Sequence, residues 1–168
     1  MIKSNFDKAF ELTVGIEGGY VNDPKDRGGE TKFGISKRSY PNVDIKNLTI
    51  EAAKKIYYED FWKTRTMDLD DMSNDIAIEL FDTGVNIGMP SVRKMLQRAL
   101  NLLNRVETRF PDLKVDGLIG SNTMKAISLV NEKELLKVLN GLQFMWYYNI
   151  VEHDHSQERF FAGWVKRT

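Results

Sequence analysis

The chain opens on a helical pattern. Phe6, Phe10, Thr13, Val14 and Glu17 fall on one stripe, and Ala9, Leu12 and Ile16 widen its apolar side. Ser4 is placed to cap this helix, with Asp7 three residues later completing a reciprocal capping pattern. Gly18-Gly19 is expected to end it, which sets Glu17 on its last turn. The helical period is then lost. Residues Gly18 to Ser36 hold five glycines and one proline, too turn-rich for a helix, and predict a small irregular β-hairpin or ribbon. From Thr49 the helical period returns. Thr49 caps a segment bearing Ala53, Ile56, Tyr57 and Phe61. Ser73 caps a second with Ile76, Ala77, Leu80, Phe81 and Val85, which stops near Gly88-Met89-Pro90. Pro90 suits the first turn of a third, carrying Met95, Leu96, Ala99, Leu100 and Leu103. A turn at Asp116-Gly117 and Gly120-Ser121 precedes a short helix with Met124 and Ile127. Asn131 caps a long apolar helix through Tyr148, and Arg159 to Lys166 forms a last one. Trp146, Tyr147, Tyr148, Phe160, Phe161 and Trp164 recur at helical spacing and are expected mostly in the core.

This pattern predicts a mainly α (α+β) fold, a helical bundle with a small N-terminal ribbon. At 168 residues, without a repeat, a low-complexity tract or a linker, it is expected to form a single domain, 1–168. Composition changes the picture mainly by exclusion. The 24 Lys and Arg balance 24 Asp and Glu, so no bulk charge draws the chain to nucleic acid. Cysteine is absent, which removes thiolate nucleophiles and sulfur-ligated zinc. No apolar run approaches the ~20 residues of a membrane helix, and Met1–Asp7 has no apolar run behind its one lysine, so neither membrane insertion nor a signal peptide is expected. No metal or cofactor is expected either. Asp68, Asp70, Asp71 and Asp75 lack the glycine of a calcium loop, with Met72 at a ligand position, and His153-Asp154-His155 lacks a third ligand.

Chemistry concentrates around the ribbon. Eight residues separate Glu17 from Asp26, and four separate Asp26 from Thr31. A glutamate at a helix end facing an aspartate across a turn-rich ribbon is how a paired-carboxylate site can be built. The negative end of the helix dipole and apolar neighbours such as Ile16 are expected to raise the pKa of Glu17, while Asp26 among polar residues stays ionised. Such asymmetry separates an acid from a base.

The residues here resemble a known family. Glu17-Gly18-Gly19-Tyr20, Asp23-Pro24, Asp26 and Gly28-Gly29-Glu30-Thr31-Lys32-Phe33-Gly34-Ile35-Ser36 look like the signature of glycoside hydrolase family 108, lysozyme-like N-acetylmuramidases of bacteriophage endolysins and bacterial homologues. The likeness continues through Phe81-Asp82-Thr83-Gly84-Val85-Asn86-Ile87-Gly88 and Val115-Asp116-Gly117-Leu118-Ile119-Gly120, and closes at Arg159–Arg167. It implies a lysozyme-like fold with the ribbon flanking the active-site cleft, a catalytic segment over 1–90 and a helical peptidoglycan-binding-like segment over 91–168. By a wider resemblance to phage-type lysozymes, Glu17 matches the general acid, Asp26 the carboxylate that positions water, and Thr31 the hydroxyl that helps hold it. The Asp-to-Thr gap here is one residue shorter than in those lysozymes. Tyr20 is a candidate for stacking on a sugar ring and Asn86 for bonding N-acetyl groups. Arg159 and Arg167 are read as a solvated helix face.

The implied activity is cleavage of the β-1,4 bond between N-acetylmuramic acid and N-acetylglucosamine, causing host lysis. The expected partner is bacterial peptidoglycan. The enzyme is expected to be a monomer that stays in the host cytoplasm until a separate holin releases it. Alternatives are a lytic transglycosylase, which needs the glutamate but no water-positioning aspartate, and a non-catalytic wall-binding or secretion-regulating protein of the same fold.

Overall fold

The computed structural model describes residues 4–15, 19–22 and 29–168. The chain forms two compact units, Met1–Asp71 and Met72–Thr168.

The first unit begins with α1 (Asn5–Thr13). Ser4 caps it as expected: its hydroxyl oxygen accepts from the Asp7 amide at 3.1 Å and its proton goes to the Asp7 carboxylate at 2.7 Å. The helix stops earlier than expected. Gly15, at φ +75°, and Val14 both turn their N–H onto the Phe10 carbonyl, so Gly15 ends the helix in place of Gly18-Gly19. The ribbon follows as a three-stranded antiparallel sheet, β1 (Val21–Asn22), β2 (Glu30–Lys32) and β3 (Ile35–Ser36), in that order.

Next comes α2 (Ile50–Tyr57), capped by Thr49, whose hydroxyl accepts from the Ala52 amide at 3.2 Å. It does not run on as an α-helix to Phe61. Residues Tyr58–Trp62 widen into a π-turn, which carries Trp62 into the core. The Trp62 indole N–H donates to Asp70 at 2.8 Å, and its ring lies 5.5 Å from that of Phe6. A second hairpin absent from the sequence reading follows, β4 (Lys63–Thr64) with β5 (Met67–Asp68), closed by a 2.7 Å ion pair between Lys63 and Asp68.

The core of this unit is aromatic. Phe10 meets the Tyr57 ring edge-on at 5.5 Å, and Phe6 meets Tyr58 edge-on at 5.2 Å. Tyr57 then reaches out of the core. Its hydroxyl donates to the Phe33 carbonyl at 3.1 Å, at the turn between β2 and β3. Phe33 and Gly34 both have positive φ (50° and 75°), the requirement of a two-residue hairpin turn with the twist of its strands. A Cβ on Gly34 would sit 2.6 Å from the Tyr57 hydroxyl, so glycine is needed for space as well as for backbone angle.

The second unit is helical. It comprises α3 (Asn74–Ile87), α4 (Met89–Leu103), α5 (Ser121–Leu129), α6 (Glu132–His153) and α7 (Glu158–Val165). Pro90 lies in the first turn of α4 and Asn131 caps α6 through the Glu134 amide, as the sequence predicts. Ser73 differs: its hydroxyl donates to Glu132 at 2.7 Å and ties the start of α3 to the start of α6. Helices α3, α4 and α6 pack mutually, burying Ile76, Leu80, Phe81, Leu96, Leu100, Leu135 and Leu139.

The aromatic run on α6 and α7 is less buried than expected. Only Tyr147 is in the core, whereas Trp146, Tyr148 and Phe160 are 37%, 42% and 44% exposed. The buried positions of α6, Leu135, Leu139, Gln143 and Tyr147, recur every four residues, a stripe one residue wide that leaves the flanking aromatics outside. Of the two terminal arginines read as solvated, Arg167 instead makes a 2.7 Å ion pair with Asp82 of α3, and Arg159 lies over the Phe160 ring.

One carboxyl group sits inside the α3–α6 contact. Glu79 accepts from the Thr83 hydroxyl at 3.1 Å, and the Asn140 amide, turned to donate, lies 3.0 Å from both its oxygens. Burial pushes its pKa up to about 7, against the Thr83 bond and with a small push from Asp82.

Two outcomes follow for stability. Tyr57→Phe leaves the Phe33 carbonyl without its phenolic donor and should cost about 1 kcal/mol in a urea melt. Gly34→Ala should cost more, roughly 2–4 kcal/mol, because it adds a steric clash to an unfavourable φ. For Glu79 the folded pKa lies above the ordinary value of 4.5, so the folded chain keeps a proton that the unfolded chain releases. Stability should therefore fall as pH rises from about 4.5 to 7, by at most about 3 kcal/mol. Glu79→Gln should flatten that window and stabilise the protein at pH 8, measured by the same melts across pH.

Candidate functional site

Of the five site residues expected from sequence, Glu17 and Asp26 lie outside the described residues; Tyr20, Thr31 and Asn86 lie within them. The ribbon positions the first two of these. Its register pairs Val21 with Thr31 and Asn22 with Glu30, then Thr31 with Ser36 and Lys32 with Ile35. Side chains alternate faces along a strand, so Val21, Thr31 and Ser36 share one face while Asn22 and Glu30 share the other.

Thr31 is the centre of the middle strand and half-buried. Its hydroxyl is 3.4 Å from the Gly29 carbonyl, a long contact for a donor, which leaves the hydroxyl's bonding capacity largely open among the described residues. Tyr20 belongs to the opposite face. Its hydroxyl donates to Glu30 Oε1 at 2.8 Å, and that hydrogen bond, with a little burial, raises the phenol's pKa and keeps it a donor. The ribbon therefore does not bring Tyr20 and Thr31 onto one surface.

Glu30 was not singled out in the sequence. The signal that finds it is register: once Asn22 opposes Glu30, Tyr20 is its diagonal neighbour, within reach of a long side chain. This pairing also fixes the ends of the stretch that contains Asp26 by sequence.

Asn86 lies in the last turn of α3 and is exposed. Its amide folds back on its own helix, donating to the Asp82 carbonyl at 2.7 Å and the Asp82 carboxylate at 3.3 Å. Asp82 in turn holds Arg167. Neither of the acidic and histidine clusters weighed as metal sites converges. Asp70 accepts from Trp62 and Tyr58, Asp68 pairs with Lys63, and His153 Nδ1 lies 2.6 Å from the Asn149 carbonyl. Among the described residues no three metal-binding side chains come together, and no helix is long and apolar enough to cross a membrane.

Comparison with known proteins places this geometry. Residues 10–88 match the family described as Glycosyl hydrolase 108, and residues 91–168 match the one described as Predicted Peptidoglycan domain. No curated protein matches the chain. Ten chains of solved structures do. Among them is SagA of Brucella abortus, similar at a TM-score of 0.74 and 26% identity over 96% of this chain and 88% of that one. Among the described residues, the seven α-helices and short antiparallel strands are those of a mainly helical, lysozyme-like fold. Residues 10–88 thus carry a glycosyl hydrolase 108 segment and residues 91–168 a peptidoglycan domain, and the chain is a glycoside hydrolase of peptidoglycan.

Proposed function

We propose that this hydrolase cuts the β-1,4 bond between N-acetylmuramic acid and N-acetylglucosamine, with Glu17 as the general acid and Asp26 as the carboxylate that activates water. The observation that carries the reading is the three-stranded ribbon following α1. By sequence Glu17 falls between α1 and β1, and Asp26 falls between the paired residues Asn22 and Glu30. Both carboxylates thus belong to segments that enter and leave one short sheet. Two carboxyl groups in unlike surroundings are what glycosidic hydrolysis needs: one protonated to donate to the leaving oxygen, one ionised to take a proton from water.

Water attacks the anomeric carbon from the face opposite the leaving sugar as Glu17 protonates the departing oxygen. The product is inverted, which requires a carboxyl separation of roughly 6.5–9.5 Å. Thr31, with its hydroxyl open for a further bond, helps Asp26 hold the water. Tyr20 and Asn86 contact the sugars and not the reacting atoms. The resemblance to phage endolysins supports a biological setting: a monomer that accumulates in the host cytoplasm, passes through a separately encoded holin and lyses the cell.

Digests of purified wall glycan, read by mass and by the anomer first released, test the chemistry. Glu17→Gln and Asp26→Asn should each lose roughly 10²–10⁴-fold in rate. Thr31→Ala should lose roughly tenfold in kcat, the weight of one hydrogen bond to the reacting water, whereas Tyr20→Ala should act mainly on KM. Reducing muramic ends are expected. Anhydro-muramic ends would identify a transglycosylase and overturn the reading, as would full activity in Glu17→Gln.

A further inference from the structure

The second unit holds an open pocket of about 610 Å³ that the chemistry above does not use. It lies between the C-terminal half of α4, the loop that follows and the start of α5, a volume ordinary for a small ligand. Phe110 and Ala126, both buried, supply apolar lining, with Pro111 and Leu113 beside them.

Five charged side chains line it: Arg109, Asp112, Lys114, Asp116 and Lys125. Each of the two acids already accepts a bond from a buried side-chain amide. Asp112 accepts from the buried Asn104 amide. Asp116 accepts from the Leu118 N–H at 2.9 Å and from Gln97 Nε2 at 3.1 Å, and these bonds hold its carboxyl below the usual range, with Lys114 adding to the effect. Gln97 is 2% exposed and fully engaged, since its Nε2 also reaches the Leu118 carbonyl and its Oε1 accepts from Gly117.

The bases are not satisfied in this way. Arg109 gives one bond to the Leu103 carbonyl, and neither Lys114 nor Lys125, both exposed, has a hydrogen bond or ion pair among the described residues. The pocket thus combines an apolar lining with cations free to take a new anion. The turn that precedes Arg109 and Phe110 is also strained. Arg105, Val106 and Glu107 stand at φ 54°, 57° and 58°, three consecutive non-glycine residues in the left-handed region. Asn104 holds that turn through Glu107 and Arg109, delivering Arg109 and Phe110 to the pocket.

An N-acetylated glycan strand is neutral, its lactyl acids being closed as amides. The free carboxylates of peptidoglycan belong to its stem peptides, which are short and carry small apolar side chains. We propose that the pocket between α4 and α5 is a stem-peptide subsite, in which Lys114 and Lys125 take the peptide's carboxylates over the apolar lining. This rests on the assignment of the chain as a peptidoglycan hydrolase.

Titration of the full chain with the free pentapeptide L-Ala-γ-D-Glu-L-Lys-D-Ala-D-Ala, followed by calorimetry or NMR, tests the pocket without any glycan. Wild type should bind it, and Lys114→Gln/Lys125→Gln should bind roughly three- to tenfold more weakly, as two solvent-exposed charge contacts are removed. Lys125→Glu should weaken it further. Both lysines are exposed, so the thermal midpoint should not move. In rate assays the double variant should lose a similar factor on intact wall and nothing on glycan strands stripped of peptide by an amidase and then capped as methylamides, which keeps their lactyl acids neutral. Unchanged peptide affinity in the double variant would falsify the proposal. So would equal rate losses on both substrates, equally tight binding of the fully amidated peptide, or displacement by inorganic phosphate at equal concentration. A wild type that cleaves neither substrate would sink the hydrolase reading alone, with the titration still deciding the pocket.

Discussion

One phenolic hydroxyl holds the first unit's two kinds of structure together. The Tyr57 ring is fixed in the aromatic core by Phe10 and Phe61, so its oxygen has little freedom in where it points. It points at the carbonyl of a turn whose backbone is unfavourable for phenylalanine. Burial pushes the phenol's pKa up to about 12, so it remains a donor across the range in which an enzyme works. The β2–β3 turn is therefore set by a helix packed on α1. The register of β1 and β2 is set from the same sheet, and with it the ends of the segment that carries Asp26. A side chain of α2 governs a ribbon in which it has no strand residue.

What the sequence made legible was local. Ser4, Thr49 and Asn131 cap their helices because capping needs only a side chain and an amide two or three residues away. Pro90 marks a helix start for an equally local reason. The ribbon was legible from its glycines, though its register was not, and so Glu30 was missed. Features settled by tertiary contact stayed hidden. The π-turn at Tyr58–Trp62 exists because Trp62 finds Asp70 and Phe6. Ser73 looks like a cap but bonds Glu132, 59 residues away. The aromatic run of α6 and α7 has helical spacing, yet spacing cannot tell how many neighbours a helix will have. The candidate carboxylates were read from chemistry and resemblance, and that remains their basis.

Elsewhere the second unit shows how polar groups are divided between structure and availability. Glu79 is enclosed by Thr83 and Asn140, and its raised pKa records the cost of enclosing it. Asp116 has the opposite fate, held ionised by an amide and a backbone N–H. Around the α4–α5 pocket each acid accepts a bond from a buried side-chain amide and the lysines are left to solvent. Such a division gives a neutral protein a locally cationic surface without a change in net charge.

Helix α3 has a consequence for how this enzyme can be cut and joined. By family it belongs with the glycosyl hydrolase 108 match, residues 10–88, but by packing it belongs with α4 and α6. A chimera joined at Gly88 would strip Ile76, Leu80 and Phe81 from the helices that bury them, and would break the Arg167–Asp82 pair. A junction at Asp71–Met72 would keep that core whole. The boundary between the two family matches in sequence is therefore not the boundary between the two compact units. Exchanging the peptidoglycan domain between such chains means exchanging part of the glycosyl hydrolase 108 sequence with it.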